Sequence, residues 1–172
     1  MTDYYTPTVV DPMIPLAAML PIERLFLSQV FSEEAGEEAA YYFSEEGPSD
    51  LIFLDAAEVR AALAVAQPEG SSLVRILLEG HGDAISAGDE IELDGCWDLW
   101  AGVFQDIVRR SADLDHLTVT KAFTCSKMRA DGFGGLAMPI TAAAIRSEST
   151  NTLFDRFYTE AQANEEIGPG NL

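Results

Sequence analysis

Two cysteines and two histidines are the side chains of this sequence best suited to covalent chemistry: Cys96, Cys125, His81 and His116. A cysteine nucleophile needs a base within reach and an electropositive setting that favours its thiolate. Cys96 instead lies between two aspartates, and Cys125 shares the apolar side of a predicted strand. We therefore expect two structural thiols and no catalytic residue.

Carboxylates suggest a metal site at one further place. The segment Glu90–Gly95 (EIELDG) resembles the first half of a calcium loop, because hard cations take several carboxylates around a tight glycine turn. Ala101 stands at the twelfth position from Glu90, where a bidentate glutamate is required. A second ligand set, without diagnostic spacing, comprises His81, Asp83 and His116. We expect no metal and no cofactor, and interpret residues 90–94 as a solvent-facing strand edge.

The glycine-rich loop 128–135 (MRADGFGG) is a candidate ligand site. Its backbone N–H groups could hold an anion, although glycines in a hairpin loop commonly supply positive φ. The residues assigned to this candidate ligand loop are Lys127, Arg129, Asp131, Gly132, Gly134 and Gly135. Lys121 occupies an apolar position of the preceding strand, so it either reaches the rim or pairs with an internal carboxylate.

The stretch 31–47 (FSEEAGEEAAYYFSEEG) contains six glutamates and no lysine or arginine. Carboxylates on one face of a strand recur every ~6.6 Å, and helical i, i+4 neighbours lie about 6 Å apart. Such spacing resembles a nucleic-acid backbone as a cationic groove meets it. The predicted partner-binding residues are Glu33, Glu34, Glu37, Glu38, Glu45 and Glu46. Simple solvation, or adaptation to a salty cytoplasm, is the alternative.

Charge is the strongest compositional signal, with 29 acidic and 10 basic residues and a net charge of −19. Residues 1–115 carry 23 acidic and 5 basic residues (net −18), whereas residues 116–172 carry 6 and 5 (net −1). Such a field repels nucleic acid and anionic lipid over a Debye length of about 8 Å and attracts basic partners. We therefore expect no direct nucleic-acid binding.

The chain lacks the features of membrane insertion or secretion. Its start carries two aspartates and no basic segment followed by an apolar run, as a signal peptide would. The longest apolar run, 13–22, has ten residues, whereas a bilayer crossing needs about 20. Together with two cysteines that form no disulfide framework, this predicts a cytoplasmic protein without membrane contact.

Hydrophobic periodicity predicts helices and short strands in mixed order. Helices are expected at 21–31, from the Asp55–Glu58 cap to Ala66 with an end at Pro68–Gly70, at 97–110 and at 153–161. Strands are expected at 8–10, 38–45, 51–54, 73–78, 90–94, 117–126 and 136–140, the last two forming a hairpin. This mixture predicts an α+β fold with a mainly antiparallel sheet and about four amphipathic helices. A single domain is expected over 1–163, with a flexible tail at 164–172.

The segment Gln105–Thr150, above all AFTCSKM at 122–128 and DGFGG at 131–135, resembles the C-terminal part of a family of small proteins from bacterial plasmids and other mobile elements. That family has no assigned activity, so no functional residue is carried over. The resemblance implies a mobile-element origin, which favours a host-modulating or defence-countering role.

These observations lead to three functional hypotheses, of which the first is the leading one and the other two are alternatives. The first is a non-catalytic, acidic interaction protein that binds a basic protein surface, in its narrower form a nucleic-acid mimic that inhibits a nucleic-acid-binding or host-defence protein. The second is a small-molecule- or metal-binding enzyme that uses segment 79–98 or loop 128–135. The third is a homo-oligomer that associates through the near-neutral C-terminal hairpin.

Overall fold

A computed structural model describes residues 3–65 and 70–166, which form ten strands and five α-helices. The strands are β1 (Tyr4–Tyr5), β2 (Thr8–Asp11), β3 (Ile14–Pro15), β4 (Ser32–Ala35), β5 (Ala39–Ser44), β6 (Leu51–Leu54), β7 (Ile91–Asp94), β8 (His116–Cys125), β9 (Gly134–Thr141) and β10 (Glu148–Ser149). The helices are α1 (Pro21–Val30), α2 (Ala56–Val65), α3 (Ser72–Ala87), α4 (Trp97–Arg110) and α5 (Thr150–Glu166).

Strand β8 is the centre of the larger, eight-stranded sheet, in which all the pairings are antiparallel. It pairs with β9 on one side and with β1 and β2 on the other, where Tyr4 lies opposite Cys125 and Thr8 opposite Lys121. Because this register is unbroken, β1 and β2 act as one strand. Beyond them, β2 and β3 both pair with β5, β4 lies outside β5 and β10 outside β9. A separate two-stranded sheet joins β6 to β7.

Helices α1 and α4 pack against the larger sheet, and α2 and α3 pack in turn against these two helices. Leu117 and Val119 of β8 are fully buried, as are Trp100 and Phe104 of α4, the helix that contacts β8 and β9. An aromatic cluster of Phe31, Tyr42, Trp100 and Phe104, with ring centroids 5.5–6.5 Å apart, lies within this core. The other face of the sheet is open, and Val9 is exposed there, as one face of an antiparallel sheet commonly is.

Local signals determine where the first helices begin. Pro21 opens α1, and Glu23 of its first turn accepts a hydrogen bond from the N–H of Leu20 at 3.0 Å. Asp55 precedes α2, and its Oδ1 accepts from the N–H groups of Ala57 and Glu58 at 2.8 and 3.0 Å. These contacts pair N–H groups that have no partner within the helix.

Helix α3 corrects the strand expected at 73–78 and the polar turn expected after it. Leu73 and Leu77 are both fully buried, as side chains one helical turn apart can be. Gly80 and Gly82 lie within the helix, where an added Cβ would meet nothing within 4 Å. A six-residue apolar run does not by itself distinguish a strand from a helix, and α3 packs against α2 and α4 instead of entering a sheet.

The predicted α+β class with an antiparallel sheet is confirmed, with five helices in the described residues where about four were expected. Residues 32–35, to which no helix or strand was assigned from the sequence, form β4 and pair with β5. Helix α5 extends through Glu166, whereas residues 167–172 of the predicted tail lie outside the described part, as do Ala66 and residues 67–69 at the expected end of α2. The division at residue 163 stays a prediction.

None of the helices in the described ranges combines the length and the hydrophobicity that a membrane crossing requires. The longest, α5, has 17 residues and a polar composition outside its aromatic stripe. In the core helices, the apolar residues instead pack against the sheet and against one another.

Candidate acidic groove

Glu33 differs from the other predicted partner-binding glutamates because its carboxylate is already engaged. Its Oε1 lies 2.5 Å from Nη2 of Arg24, and its side chain is only 12% exposed. Its Oε2 accepts a hydrogen bond from the hydroxyl of Tyr42 at 3.1 Å. Burial, and then the charge of Glu33, raise the pKa of Tyr42, so this tyrosine remains a neutral donor.

The other five glutamates are exposed, but the hairpin of β4 and β5 separates them. Glu34 is on β4, opposite Tyr41. Glu37 and Glu38 lie at the turn, and Glu45 and Glu46 follow the far end of β5. The six residues of β5 place these two pairs about 20 Å apart. These five charges therefore do not form one cluster. Their role in partner binding stays a prediction.

In the candidate ligand loop, several polar groups are paired within the protein. Arg129 donates to both carboxylate oxygens of Asp131, at 3.1 and 3.2 Å. The N–H of Gly132 donates to the carbonyl of Arg129, and that of Gly135 donates to Oγ1 of Thr150. These two N–H groups are therefore committed, whereas Lys127 is exposed.

The glycines of this loop are required for close contact, not for positive φ. The glycines with positive φ in the described residues are Gly47, Gly70 and Gly88. An added Cβ on Gly132 would lie 2.5 Å from Cβ of Cys125, and one on Gly134 would lie 2.7 Å from Oγ1 of Thr150. The loop is thus pressed against β8 and the start of α5.

A groove bordered by α3, β7 and the first turns of α4 brings together a histidine, a cysteine and three carboxylates. Its cavity volume is about 630 Å³, within the range of small-ligand pockets. We call it the acidic groove, and its lining residues are Ser72, Ile76, His81, Glu92, Leu93, Asp94, Cys96, Asp98, Leu99 and Gly102. It coincides with segment 79–98 of the sequence-based alternative, extended by residues of α3 and α4.

The chain between β7 and α4 positions the carboxylates of the acidic groove. Along β7, Ile91 and Leu93 are buried, so Glu92 and Asp94 face outward. Oδ1 of Asp94 accepts a hydrogen bond from the N–H of Cys96 at 3.0 Å. Cys96 is the N-cap of α4, and Asp98 belongs to its first turn. Carboxylates near a helix N-terminus are stabilised by its dipole.

Exposed apolar side chains adjoin these carboxylates. Phe53 lies opposite Glu92 and Leu51 opposite Asp94 in the pairing of β6 with β7, and they are 46% and 52% exposed. Trp97, the first residue of α4, is 49% exposed. Two exposed aromatic residues and a leucine therefore lie beside these carboxylates, in strand pairing or in sequence.

The carboxylates of the acidic groove form no ion pair with a lysine or arginine within the described ranges. Six ion pairs connect acids to arginines there, and none includes Glu92, Asp94 or Asp98. Three or more histidine, cysteine, aspartate or glutamate side chains do not converge as a metal site anywhere in residues 3–65 and 70–166. The arrangement is thus a negatively charged concavity with apolar walls.

Of the four residues considered for covalent chemistry, His81 and Cys96 both line the acidic groove. His116 begins β8 and Cys125 ends it, so they lie at opposite ends of one strand. Both cysteines are free thiols. The groove therefore brings one histidine and one cysteine into the same concavity, among three carboxylates.

The contribution of α3 to the acidic groove was not predicted from the sequence, because residues 73–78 were expected to form a strand. Ser71 carries the signal that could have located the helix, since it is the N-cap of α3 and its hydroxyl accepts from the N–H of Val74. A helix that begins there places Ser72 and Ile76 one turn apart, and both line the groove.

Lys121 lies on the inner face of the sheet, as its apolar position suggested. Its Nζ is 5.6 Å from the ring centroid of Trp100. Burial lowers the pKa of Lys121 below its ordinary value of 10.5, and the opposing attraction of Asp50 is the smaller effect. The folded state thus disfavours the charged ammonium group.

We expect Lys121→Met to have a larger free energy of unfolding than the natural protein at pH 7. The difference between the two proteins should become smaller as the pH rises towards 10.5. The reason is that a group with a lowered folded pKa binds its proton more weakly in the fold, so stability rises between the folded pKa and the unfolded one. Denaturant unfolding of both proteins at pH 7 and pH 10 measures the difference. A difference independent of pH would contradict this account of Lys121.

No protein-family model, curated protein or solved structure matches this chain. The likeness of AFTCSKM and DGFGG to proteins of mobile elements therefore stays a prediction.

Proposed function

We propose that the protein is a non-catalytic, acidic interaction protein that binds a basic protein segment in the acidic groove. One observation carries the proposal: Glu92, Asp94 and Asp98 line a concavity and form no ion pair in the described ranges, and exposed Phe53 and Trp97 lie next to them. Interfaces commonly combine aromatic anchors with arginine pairing.

The lining of the acidic groove suits the two parts of a long cationic side chain. Its apolar walls, which include Ile76 and Leu99, can cover the aliphatic stem of an arginine or lysine. Its carboxylates can then accept hydrogen bonds from the charged head, which are stronger than neutral ones. The net charge of −19 would accelerate the encounter.

This proposal moves the contact from the β4–β5 hairpin to the acidic groove. The exposed glutamates of the hairpin, Glu34, Glu37, Glu38, Glu45 and Glu46, retain a role in long-range attraction. Pairing at short range is assigned to the groove, because its carboxylates are accompanied by apolar surface.

Nucleic-acid mimicry is the narrower form of the proposal. Glu90, Glu92 and Asp94 are exposed at alternate positions, so they recur every ~6.6 Å on one face. A cationic groove built for phosphates could accept such a row. A cytoplasmic nucleic-acid-binding or host-defence protein would then be the partner, in agreement with the resemblance to mobile-element proteins.

We expect the variant Glu92→Gln/Asp94→Asn/Asp98→Asn to bind a labelled peptide of interleaved arginine and leucine about tenfold more weakly than the natural protein. Three exposed ion pairs at ~0.5 kcal/mol each give that factor. The asparagine introduced in place of Asp94 would still offer an oxygen to the N–H of Cys96, so the loop should persist. Fluorescence anisotropy at physiological salt measures the affinity.

The matched control is Glu34→Gln/Glu37→Gln/Glu38→Gln. Both variants remove three charges from −19 and leave −16, so they weaken long-range attraction equally. The control should change the affinity by no more than about twofold. Equal weakening by both variants would reject the groove, and no binding by the natural protein would reject the proposed function.

A small-molecule enzyme at the same place is the second candidate. It is favoured by the presence of His81 and Cys96 in a concavity with apolar walls. Thermal melting with calcium, zinc and magnesium addresses its metal-dependent form, because a specific ligand raises the midpoint. We expect no rise, and a rise abolished by His81→Ala would favour the enzyme.

A further inference from the structure

Helix α5 carries an apolar stripe that is exposed to solvent. Phe154, Phe157 and Tyr158 are 53%, 51% and 67% exposed. With Ala161 they follow the i, i+3, i+4, i+7 spacing of a helix face that packs against a partner. The sequence predicted this amphipathic helix, and the structure leaves its apolar side facing outward.

The first two turns of α5 are attached to the described remainder of the fold, and Arg156 in the second of them forms an ion pair with Glu148 of β10 at 2.8 Å. Thr150 accepts a hydrogen bond from the N–H of Gly135 at 3.2 Å, and Leu153 is half-buried. From Phe154 to Ala163 every side chain is exposed. A helix of this length is marginal in water without packing, so cover for its stripe would stabilise it.

We infer that the stripe of α5 packs antiparallel against the same stripe of a second copy of this chain. Charge supports this occupant. Residues 1–115 carry −18 and residues 116–172 only −1, so two copies meet with least repulsion through the C-terminal third. Helix α5 itself holds Arg156 and four acids, a net charge of −3, and two of these acids, Glu165 and Glu166, lie beyond the stripe.

The order of large and small residues favours the antiparallel orientation. When the two stripes cross between Phe157 and Tyr158, those four aromatic rings meet at the centre. Phe154 of each copy then faces Ala161 of the other, a large residue against a small one. Such a contact is isologous and closes on itself as a dimer. This packing involves none of the residues that line the acidic groove.

The size of the stripe determines how stable this dimer can be. Each half-exposed aromatic ring contributes about 100 Å², so three rings and their neighbours bury about 400 Å² per copy. That is roughly half of a standard interface. We therefore expect a reversible dimer whose population depends on protein concentration.

Sedimentation velocity over a concentration series tests the dimer. The mean mass of the natural protein should rise from 18.7 kDa towards twice that value. Phe157→Glu should remain monomeric at the same concentrations, because it buries two like charges at the centre. The residue is half-exposed in one copy, so an unchanged circular dichroism spectrum will show that the variant folds. Phe53→Glu, of similar exposure, is the control and should dimerise normally.

Cysteine cross-linking tests the orientation in a Cys96→Ser background. Phe154→Cys/Ala161→Cys should give a disulfide-linked dimer on mild oxidation. Phe154→Cys alone should not, because antiparallel pairing separates the two copies of position 154 by about 10 Å along the helix axis. A natural protein that stays monomeric, a dimer insensitive to Phe157→Glu, or efficient cross-linking by Phe154→Cys alone would overturn the inference.

Discussion

Arg110→Met is expected to lower the free energy of unfolding by about 3 kcal/mol at neutral pH. The side chain of Glu23 is fully buried and forms an ion pair with Arg110. Arg110 also donates to the carbonyl of Gly70 at 2.9 Å and to that of Ala18 at 3.4 Å. Without the guanidinium group, Glu23 would retain the N–H of Leu20 as its hydrogen-bond donor, and a buried carboxylate would lose its counter-charge.

Urea denaturation of four proteins separates the loss of this ion pair from the loss of packing. Glu23→Gln alone should cost less than Arg110→Met, because Arg110 is 23% exposed and remains partly hydrated. The double variant Glu23→Gln/Arg110→Met should be more stable than Arg110→Met, since a neutral amide needs no counter-charge. An Arg110→Met protein within about 1 kcal/mol of the natural one would contradict the importance of the pair.

Gly95→Ala is expected to lower the free energy of unfolding by about 2–3 kcal/mol. An added Cβ would lie 2.3 Å from the carbonyl oxygen of Ser49 and 3.1 Å from Cδ1 of Ile52. The nearest atom belongs to the backbone, so no flexible side chain can move aside. The N–H of Gly95 also donates to the carbonyl of Asp50 at 2.7 Å. A shift here would displace Asp94 and Cys96 and so weaken peptide binding as well.

Gly80→Ala is the matched control, with an effect of opposite sign. Gly80 is an exposed position of α3, and an added Cβ would meet nothing within 4 Å. Alanine is preferred to glycine in a helix by about 1 kcal/mol, so this variant should be more stable than the natural protein. Thermal and urea unfolding of both variants measure the contrast. Similar losses from Gly95→Ala and Gly80→Ala would show that close backbone contact is not the cause.

Elements with a long, consistent hydrophobic pattern could be predicted from the sequence. The β8–β9 hairpin and α4 are of this kind, because alternation or helical spacing persists over several turns or residue pairs. The six residues 73–78 lack that length, and their helical state depends on packing against α2 and α4. A hydrophobic pattern therefore predicts an element well only where it is longer than the short apolar runs that fit a strand and a helix equally.

The candidate site was harder to predict, because distant residues create it. The acidic groove needs Ser72 and Asp98 near one another, and no pattern in either segment indicates this. Glu33 is a second example. In the sequence it is one of six similar glutamates, but in the fold Arg24, nine residues earlier, pairs with its carboxylate. Composition predicts the sign of the field, whereas tertiary packing determines which carboxylates can reach a partner.

The central position of β8 has a consequence for synthesis on the ribosome. Thr8 lies opposite Lys121, so the ribosome must add 113 residues after Thr8 before its partner exists. At typical rates of elongation this takes roughly 5–20 s. Meanwhile β2 can pair only with β5, and the side of Val10 that later enters the core stays accessible. A nascent chain of this protein should therefore be a substrate for chaperones until its C-terminal third emerges.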